Sequence, residues 1–188
     1  MAFQSAKPGT TLAGFNVLAE IGRGAASIIY LVQDPKSKQI WALKHVEKEN
    51  PKDQRFLDQA IKEAEIAQKV RSRYVRGIDR VIKGRQLLSV NDVYLLMEYV
   101  DGISVEQHPP KDFAQAVSIF LQTARGLHQM HEAGFVHADM KPNNIVVNEA
   151  GEVKIIDLGQ ACAIGTVKER IQGTPDYIAP EQVHLRPI

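Results

Sequence analysis

From Phe15 to Val46 three apolar-rich runs are separated by turn residues. Phe15–Gly22 and Ser27–Asp34 flank a glycine-containing turn, and Pro35–Lys38 makes a second turn into Gln39–Val46, so three strands are expected. The period then changes. Phe56, Leu57, Ala60, Ile61, Ala64, Ala67 and Val70 recur every three or four residues, which predicts an amphipathic helix. Asn50-Pro51-Lys52-Asp53 supplies its start, with a proline and an acid in the first turn. Two further strands are expected around Val75–Lys83 and Val93–Val100, the second broken by Asp101-Gly102. A second long helix is marked by Val117, Phe120, Leu121, Ala124, Leu127 and His131 and ends near Gly134. Short β-like runs, Ile145–Asn148 and Val153–Asp157, surround the turn Glu149-Ala150-Gly151. Met1–Thr11, with Lys7, Pro8 and Gly9, reads as a flexible lead-in. The order is a strand-rich first half with one helix, then a helical second half, with no internal repeat and no low-complexity stretch.

Composition changes this picture little. A chain of 188 residues, 44% hydrophobic and 24% charged, has enough apolar surface for one domain or for two small lobes sharing a cleft. A net charge of +1 gives no bulk electrostatic reason to expect nucleic acid or a membrane surface as partner. The single cysteine, Cys162, allows no internal disulfide and suits a reducing compartment. Met1–Thr11 lacks the apolar core of a signal peptide, and no apolar run approaches membrane-spanning length, so a cytoplasmic location is expected.

The candidate chemistry lies in separated motifs. Ile21-Gly22-Arg23-Gly24-Ala25-Ala26-Ser27-Ile28-Ile29 has the shape of a glycine-rich phosphate loop, in which backbone N–H groups approach phosphate oxygens with no Cβ in the way. Taken alone, a plain hairpin turn explains it equally well. Lys44 follows Trp41-Ala42-Leu43 on the third strand, where an ammonium is costly to bury without an anionic partner. Glu63 and Glu65 are the candidates, and Glu63 shares the face of Ala60, Ala64 and Ala67. A solvated strand-edge lysine is the alternative. The later stretches are Val136-His137-Ala138-Asp139-Met140-Lys141-Pro142-Asn143-Asn144, Ile155-Ile156-Asp157-Leu158-Gly159, and Gly173-Thr174-Pro175-Asp176-Tyr177-Ile178-Ala179-Pro180-Glu181.

With these motifs in this order, the chain resembles the eukaryotic-type (Hanks-type) Ser/Thr protein kinase catalytic domain from about Phe15 to its end. The resemblance implies an α+β, bilobal protein-kinase-like fold: an antiparallel β-sheet N-lobe with one helix, and a mainly helical, incomplete C-lobe. The expected boundaries are residues 1–14 for the lead-in and 15–188 for the kinase domain, with the N-lobe at about 15–100 and a partial C-lobe at about 101–188.

The roles the resemblance implies follow the chemistry. Phosphoryl transfer is mostly positioning and charge neutralisation. By resemblance Asp139 accepts the substrate hydroxyl's proton, Lys141 offsets charge on the moving phosphoryl group, and Thr174 orients both. Asn144 and Asp157 supply hard oxygen ligands to Mg²⁺, while Lys44, held by Glu63, binds the α and β phosphates of ATP. Gly22, Gly24 and Ser27 belong to the phosphate loop. Ile21, Ile29, Ala42 and Val146 sandwich the adenine, Met97 lies at the back of the pocket, the backbones of Glu98 and Val100 offer hinge hydrogen bonds, and Ser104 falls near the ribose. The Lys141-Pro142 and Gly173-Thr174-Pro175 segments resemble the Ser/Thr class.

Four departures matter. Ser27 replaces the third glycine of the loop, and Leu158 replaces the usual phenylalanine after Asp157. Ala138 replaces the arginine that in the family pairs with a phosphorylated activation-loop residue. A complete domain of the family runs to about 250 residues, so later helices that pack on the second long helix are missing from this sequence. The expected function is ATP- and Mg²⁺-dependent phosphorylation of protein Ser/Thr hydroxyls. A small-molecule phosphotransferase of related fold is one alternative, and a truncated kinase-like scaffold or nucleotide-binding module with little catalysis is the other. His128, His131 and His137 are expected to pack rather than bind metal, and Lys69, Arg71, Arg73, Arg76, Arg80, Lys83 and Arg85 to form a solvated basic surface, with no nucleic-acid partner.

Overall fold

Alternation along the first strands builds a curled antiparallel sheet with two unlike faces. The computed structural model of the protein describes residues 5–24, 26–86 and 89–188. They form two compact units, Met1–Ala64 with Ile78–Tyr99, and Glu65–Gly77 with Val100–Ile188.

In the first unit, β1 (Thr11–Leu12), β2 (Phe15–Arg23), β3 (Ser27–Gln33) and β4 (Ile40–Glu47) are antiparallel neighbours in sequence order. The helix α1 (Gln54–Lys69) precedes β5 (Ile78–Gln86) and β6 (Ser89–Glu98), and β6 inserts between β4 and β5. Ile28, Tyr30 and Val32 alternate inward along β3 and join Phe15, Val17, Leu43 and Leu96 in one apolar cluster. Each such burial contributes about 1.5–3 kcal/mol. Register pairs put Ile29, Lys44 and Leu95 side by side, as they do Leu31, Ala42 and Met97, so these share the opposite face.

The lead-in is tied down from Ser5 rather than loose. Ala6 N–H donates to the Tyr30 hydroxyl at 3.0 Å. Gly9 N–H donates to the Val17 carbonyl, and Val17 N–H to the Thr10 carbonyl, both at 2.9 Å. Ala6, Leu12 and Ala13 cover the apolar cluster, which gives this segment a packing role that composition alone does not show.

Asn50 N–H donates to Asp53 Oδ2 at 2.8 Å, closing the short turn Pro51–Asp53 that opens α1. Leu57, Ala60, Glu63, Ala64 and Ala67 form its buried stripe, and Glu65 is exposed. The strand expected at Val75–Lys83 begins at Ile78 instead, because Val75 bridges Ile155 in the second unit. The next strand ends at Glu98, short of Val100.

The second unit contains β7 (Ile103–Ser104), α2 (Phe113–Glu132), β8 (Phe135–Val136), β9 (Ile145–Val147), β10 (Val153–Ile155), β11 (Cys162–Ala163) and α3 (Pro180–Val183). Asp112 caps α2 by accepting from Gln115 N–H at 2.7 Å, so the helix starts earlier than its apolar pattern suggests. β10, β9 and β7 form a small sheet, and β11 pairs with β8.

The buried stripe of α2 differs from the expected one. Ile119, Thr123, Gly126 and Met130 face inward. Phe113 is 85% exposed and Phe120 65%, with Val117 and Leu121 also exposed. Gly126 explains the choice: a Cβ there would lie 2.8 Å from Ile155 Cδ1 and 2.9 Å from Tyr74 Cβ, so this side of the helix can approach most closely. Among the described residues, no helix is long and apolar enough to cross a membrane.

Candidate active site

The loop after β8 carries the central carboxylate, and a buried histidine fixes its entry. Asp139 N–H donates to His137 Nδ1 at 3.3 Å, and His137 Nε2–H donates to the Ile156 carbonyl at 3.2 Å. These roles require the neutral ring, and burial lowers the pKa of His137, which favours that form. Ala138 then adopts φ 59°, a left-handed conformation that costs about 1–2 kcal/mol for a non-glycine residue. The packing expectation therefore holds for His137 but not for His128 and His131, which are exposed. His128 lies 3.5 Å from Glu132 on the exposed side of α2. Among the described residues no His/Cys/Asp/Glu group of three could hold a metal.

Asp139 is closed into a three-membered ring of side chains. The Thr174 hydroxyl donates to Asp139 Oδ1 at 2.9 Å. Lys141 Nζ donates to Asp139 Oδ2 at 3.0 Å and to Thr174 Oγ1 at 2.9 Å. The ring spans two segments, one from the loop after β8 and one from the turn that Gly173 opens at φ 130°. Asp139 and Lys141 remain partly accessible, with side chains 12% and 24% exposed. A carboxylate, a cation and a hydroxyl thus meet at one partly open point.

Asn144 adjoins this ring, and the chain that pairs with it leads to Asp157. Asn144 is buried, and its Nδ2 donates to the Asp139 carbonyl at 2.8 Å, which turns its amide oxygen away from that contact. Its own carbonyl accepts from Ile156 N–H at 2.9 Å, so Asp157 follows directly. Asp157 has φ 63°, and its Oδ1 accepts from Gly159 N–H at 3.3 Å. An amide oxygen and a carboxylate are the hard donors that Mg²⁺ takes.

In the first unit Lys44 Nζ meets Glu63 Oε2 at 2.6 Å, with Glu63 only 2% exposed. That pairing selects Glu63 over Glu65, and the strand-edge lysine alternative falls. Removing one partner of such a buried pair costs about 3–5 kcal/mol, because the other charge stays uncompensated. Ile29, Ala42 and Met97 lie on the same sheet face as Lys44. Gly22 pairs with Ile29, and Gly24 N–H donates to the Ser27 carbonyl at 2.8 Å, closing the turn in which Ala25 lies outside the described residues. Ile21 is half exposed at the end of β2, and Glu98 ends β6. Val100, Ser104 and Val146 belong to the second unit, where Ser104 pairs with Val146. The Ser104 hydroxyl accepts from Gln107 N–H at 3.3 Å, so it already serves the following turn.

One residue bonded to the site was not legible in the sequence. Gln182 is 7% exposed and hydrogen-bonds the Ala138 and Gln172 carbonyls. Its sequence signal was only its place after Ala-Pro-Glu. In the basic cluster, Arg73 pairs with Glu152 and Arg80 with Asp79. A groove of about 890 Å³ opens elsewhere in the second unit, bordered by Gly102, Gln107, Lys111, Ile119 and Val147, and no member of the carboxylate ring lines it.

An antiparallel sheet bearing a buried lysine–glutamate pair, followed by a unit with a few helices whose loop aspartate is ringed by lysine and threonine, is the construction of kinase-type catalytic domains. Comparison with known families agrees: the protein kinase domain matches residues 15–188, and the chain belongs to that family. Among curated proteins it is 30% identical over 174 residues to the serine/threonine-protein kinase ppk23 of Schizosaccharomyces pombe, covering 89% of this chain and 43% of that protein. A probable serine/threonine-protein kinase of Corynebacterium efficiens is 31% identical over 180 residues, covering 90% and 27%. Mitogen-activated protein kinase kinase 2 of Arabidopsis thaliana is 29% identical over 187 residues, covering 92% and 48%. The chain therefore spans less than half the length of these relatives.

Proposed function

We propose that this protein transfers the γ-phosphoryl group of ATP to serine and threonine hydroxyls of protein substrates, and that residues 15–188 are its kinase domain, with an N-lobe at about 15–100 and a C-lobe portion at about 101–188. The observation that carries the reading is the closed ring of Asp139, Thr174 and Lys141. Each member has a task in such a transfer. Asp139 accepts the hydrogen bond and then the proton of the substrate hydroxyl, and Thr174 holds the carboxylate in place. Lys141 offsets the charge on the transferred group.

Lys44, oriented by Glu63, grips the α and β phosphates, and the backbone around Gly22, Gly24 and Ser27 covers them. Ile21, Ile29 and Ala42 take one side of the adenine, with Met97 behind it. Glu98 bonds the base through its backbone. Asn144 and Asp157 would hold Mg²⁺, which would supply neutralisation of the phosphate charge. The single, buried Cys162 and the near-neutral net charge support action in the cytoplasm on protein rather than nucleic acid.

The direct test supplies the full-length protein with Mg-ATP and a generic protein substrate and identifies the phosphorylated residues. Phosphoserine and phosphothreonine are expected. Nucleotide binding with no transfer would leave a nucleotide-binding module and refute the enzymatic reading.

Control of this site is expected to differ from a phosphate-dependent switch. Ala138 offers no guanidinium to a phosphate on Thr166, whose hydroxyl donates to the Ala163 carbonyl at 2.6 Å. Thr166→Ala should leave kcat within about two-fold of wild type, as is usual where no charge-assisted contact is lost. Silencing by Thr166→Ala with rescue by Thr166→Glu would sink this expectation.

A further inference from the structure

We infer that Gln182 is a positioning residue for this reaction: its side-chain amide fastens the segment bearing Thr174 to the loop bearing Asp139. The inference rests on the function proposed above. Gln182 lies in α3, and its side chain is nearly sealed from solvent. Nε2 donates to the Ala138 carbonyl at 2.9 Å and to the Gln172 carbonyl at 3.1 Å, while Oε1 accepts from Ala179 N–H at 3.3 Å. Both amide protons are used, and the oxygen has its own donor. The orientation is therefore fixed, because a flipped amide would set its oxygen against two carbonyl oxygens.

The positions of these partners give the contact its consequence. Ala138 immediately precedes Asp139, and Gln172 is separated from Thr174 only by Gly173. The bond between Thr174 and Asp139 joins the same two segments. The ring and the Gln182 amide are thus two independent fastenings across one gap. The helix α3 is four residues long, too short to be stable by itself, so its place depends on contacts beyond it. Alanine at 138 cannot reach across with its side chain, and the tie instead uses its carbonyl. A buried amide with three partners restrains backbone far better than a solvent-exposed one, since breaking any bond leaves a desolvated group unmet.

Two variants separate positioning from mere packing. Gln182→Met keeps the volume and loses all three hydrogen bonds. Gln182→Glu keeps an acceptor for Ala179 N–H and replaces both donors with oxygen facing carbonyls. With the ring loosened but the nucleotide contacts intact, kcat should fall about ten-fold in both variants while KM for ATP stays within about two-fold. Melting temperatures establish that each variant is folded. If kcat in both folded variants stays within about two-fold of wild type, the inference is wrong. It is equally wrong if kcat and KM worsen together with a large fall in melting temperature, since that marks a structural role. Wild-type protein without any turnover would instead refute the proposed function. In that case the Thr174 methyl resonance decides the inference: a shift in both variants supports the fastening, and an unchanged resonance overturns it.

Discussion

Asp139→Asn should lower kcat about a thousand-fold, within the range lost when a positioned general base is removed, while nucleotide binding persists. The ring geometry explains why the fold should survive. Lys141 can only donate, so the amide oxygen of an asparagine must face Nζ, where Asp139 Oδ2 now accepts at 3.0 Å. The amide nitrogen then points at Thr174 Oγ1, which accepts from it and turns its own proton elsewhere. The ring reverses one bond without opening, and what disappears is the acceptor for the substrate proton. Asp157→Ala should abolish transfer by a different route, the loss of a carboxylate donor to Mg²⁺. Alanine at the φ of 63° found there also carries backbone strain, whereas asparagine tolerates that region. Asp157→Asn therefore isolates the charge, and it should be inactive too. Steady-state assays with Mg-ATP, nucleotide titration calorimetry and melting curves on the three variants check these outcomes. Near-normal turnover in Asp139→Asn or Asp157→Asn would show that the site has been misassigned.

The Lys44–Glu63 pair was more legible than the packing around it because chemistry constrains residue type at both positions. A buried ammonium needs a carboxylate, and the helical period alone placed Glu63 on the correct face of α1. Lys44 meets it at 2.6 Å. Asp139, Asn144 and Thr174 were singled out through the resemblance of their motifs, and the hydrogen bonds among them join those motifs. The buried face of α2 was misread, since the apolar stripe of Val117, Phe120 and Leu121 outweighs Thr123 and Gly126 on any hydrophobicity scale. What selects the buried side is closeness of approach, which small residues allow and hydrophobicity does not measure. The two-residue strands β1, β7, β8 and β11 are too short to show a period. Gln182 was invisible because its partners are backbone carbonyls, which exist at every residue and carry no sequence signal.

Gly126→Val should destabilise the second unit by about 3 kcal/mol, the upper part of the range for overpacking a filled interior. Glycine in a helix interior ordinarily costs about 1 kcal/mol relative to alanine, so on propensity alone replacement of Gly126 would stabilise α2. Contact geometry opposes that gain. A Cβ at 126 would approach Ile155 Cδ1 to 2.8 Å and Tyr74 Cβ to 2.9 Å. The Ile155 methyl is the end of a side chain and could swing, but Ile155 is fully buried in this unit and has little space to enter. Tyr74 Cβ is held closer to its backbone, and the Tyr74 carbonyl accepts from Ile155 N–H at 2.7 Å. Relief must therefore come from moving α2 away or from shifting the Tyr74–Ile155 pair. Gly126→Ala sets about 1 kcal/mol of helix propensity against this clash and should come out mildly destabilised. The branched methyls of valine add contacts on both sides and lower helix propensity, so the balance is no longer close. Because Asp157 lies two residues beyond Ile155, activity should fall along with stability in Gly126→Val. Denaturant melts of wild type, Gly126→Ala and Gly126→Val measure the order. A valine variant as stable as wild type would mean that α2 is not held at the distance from Ile155 and Tyr74 described above.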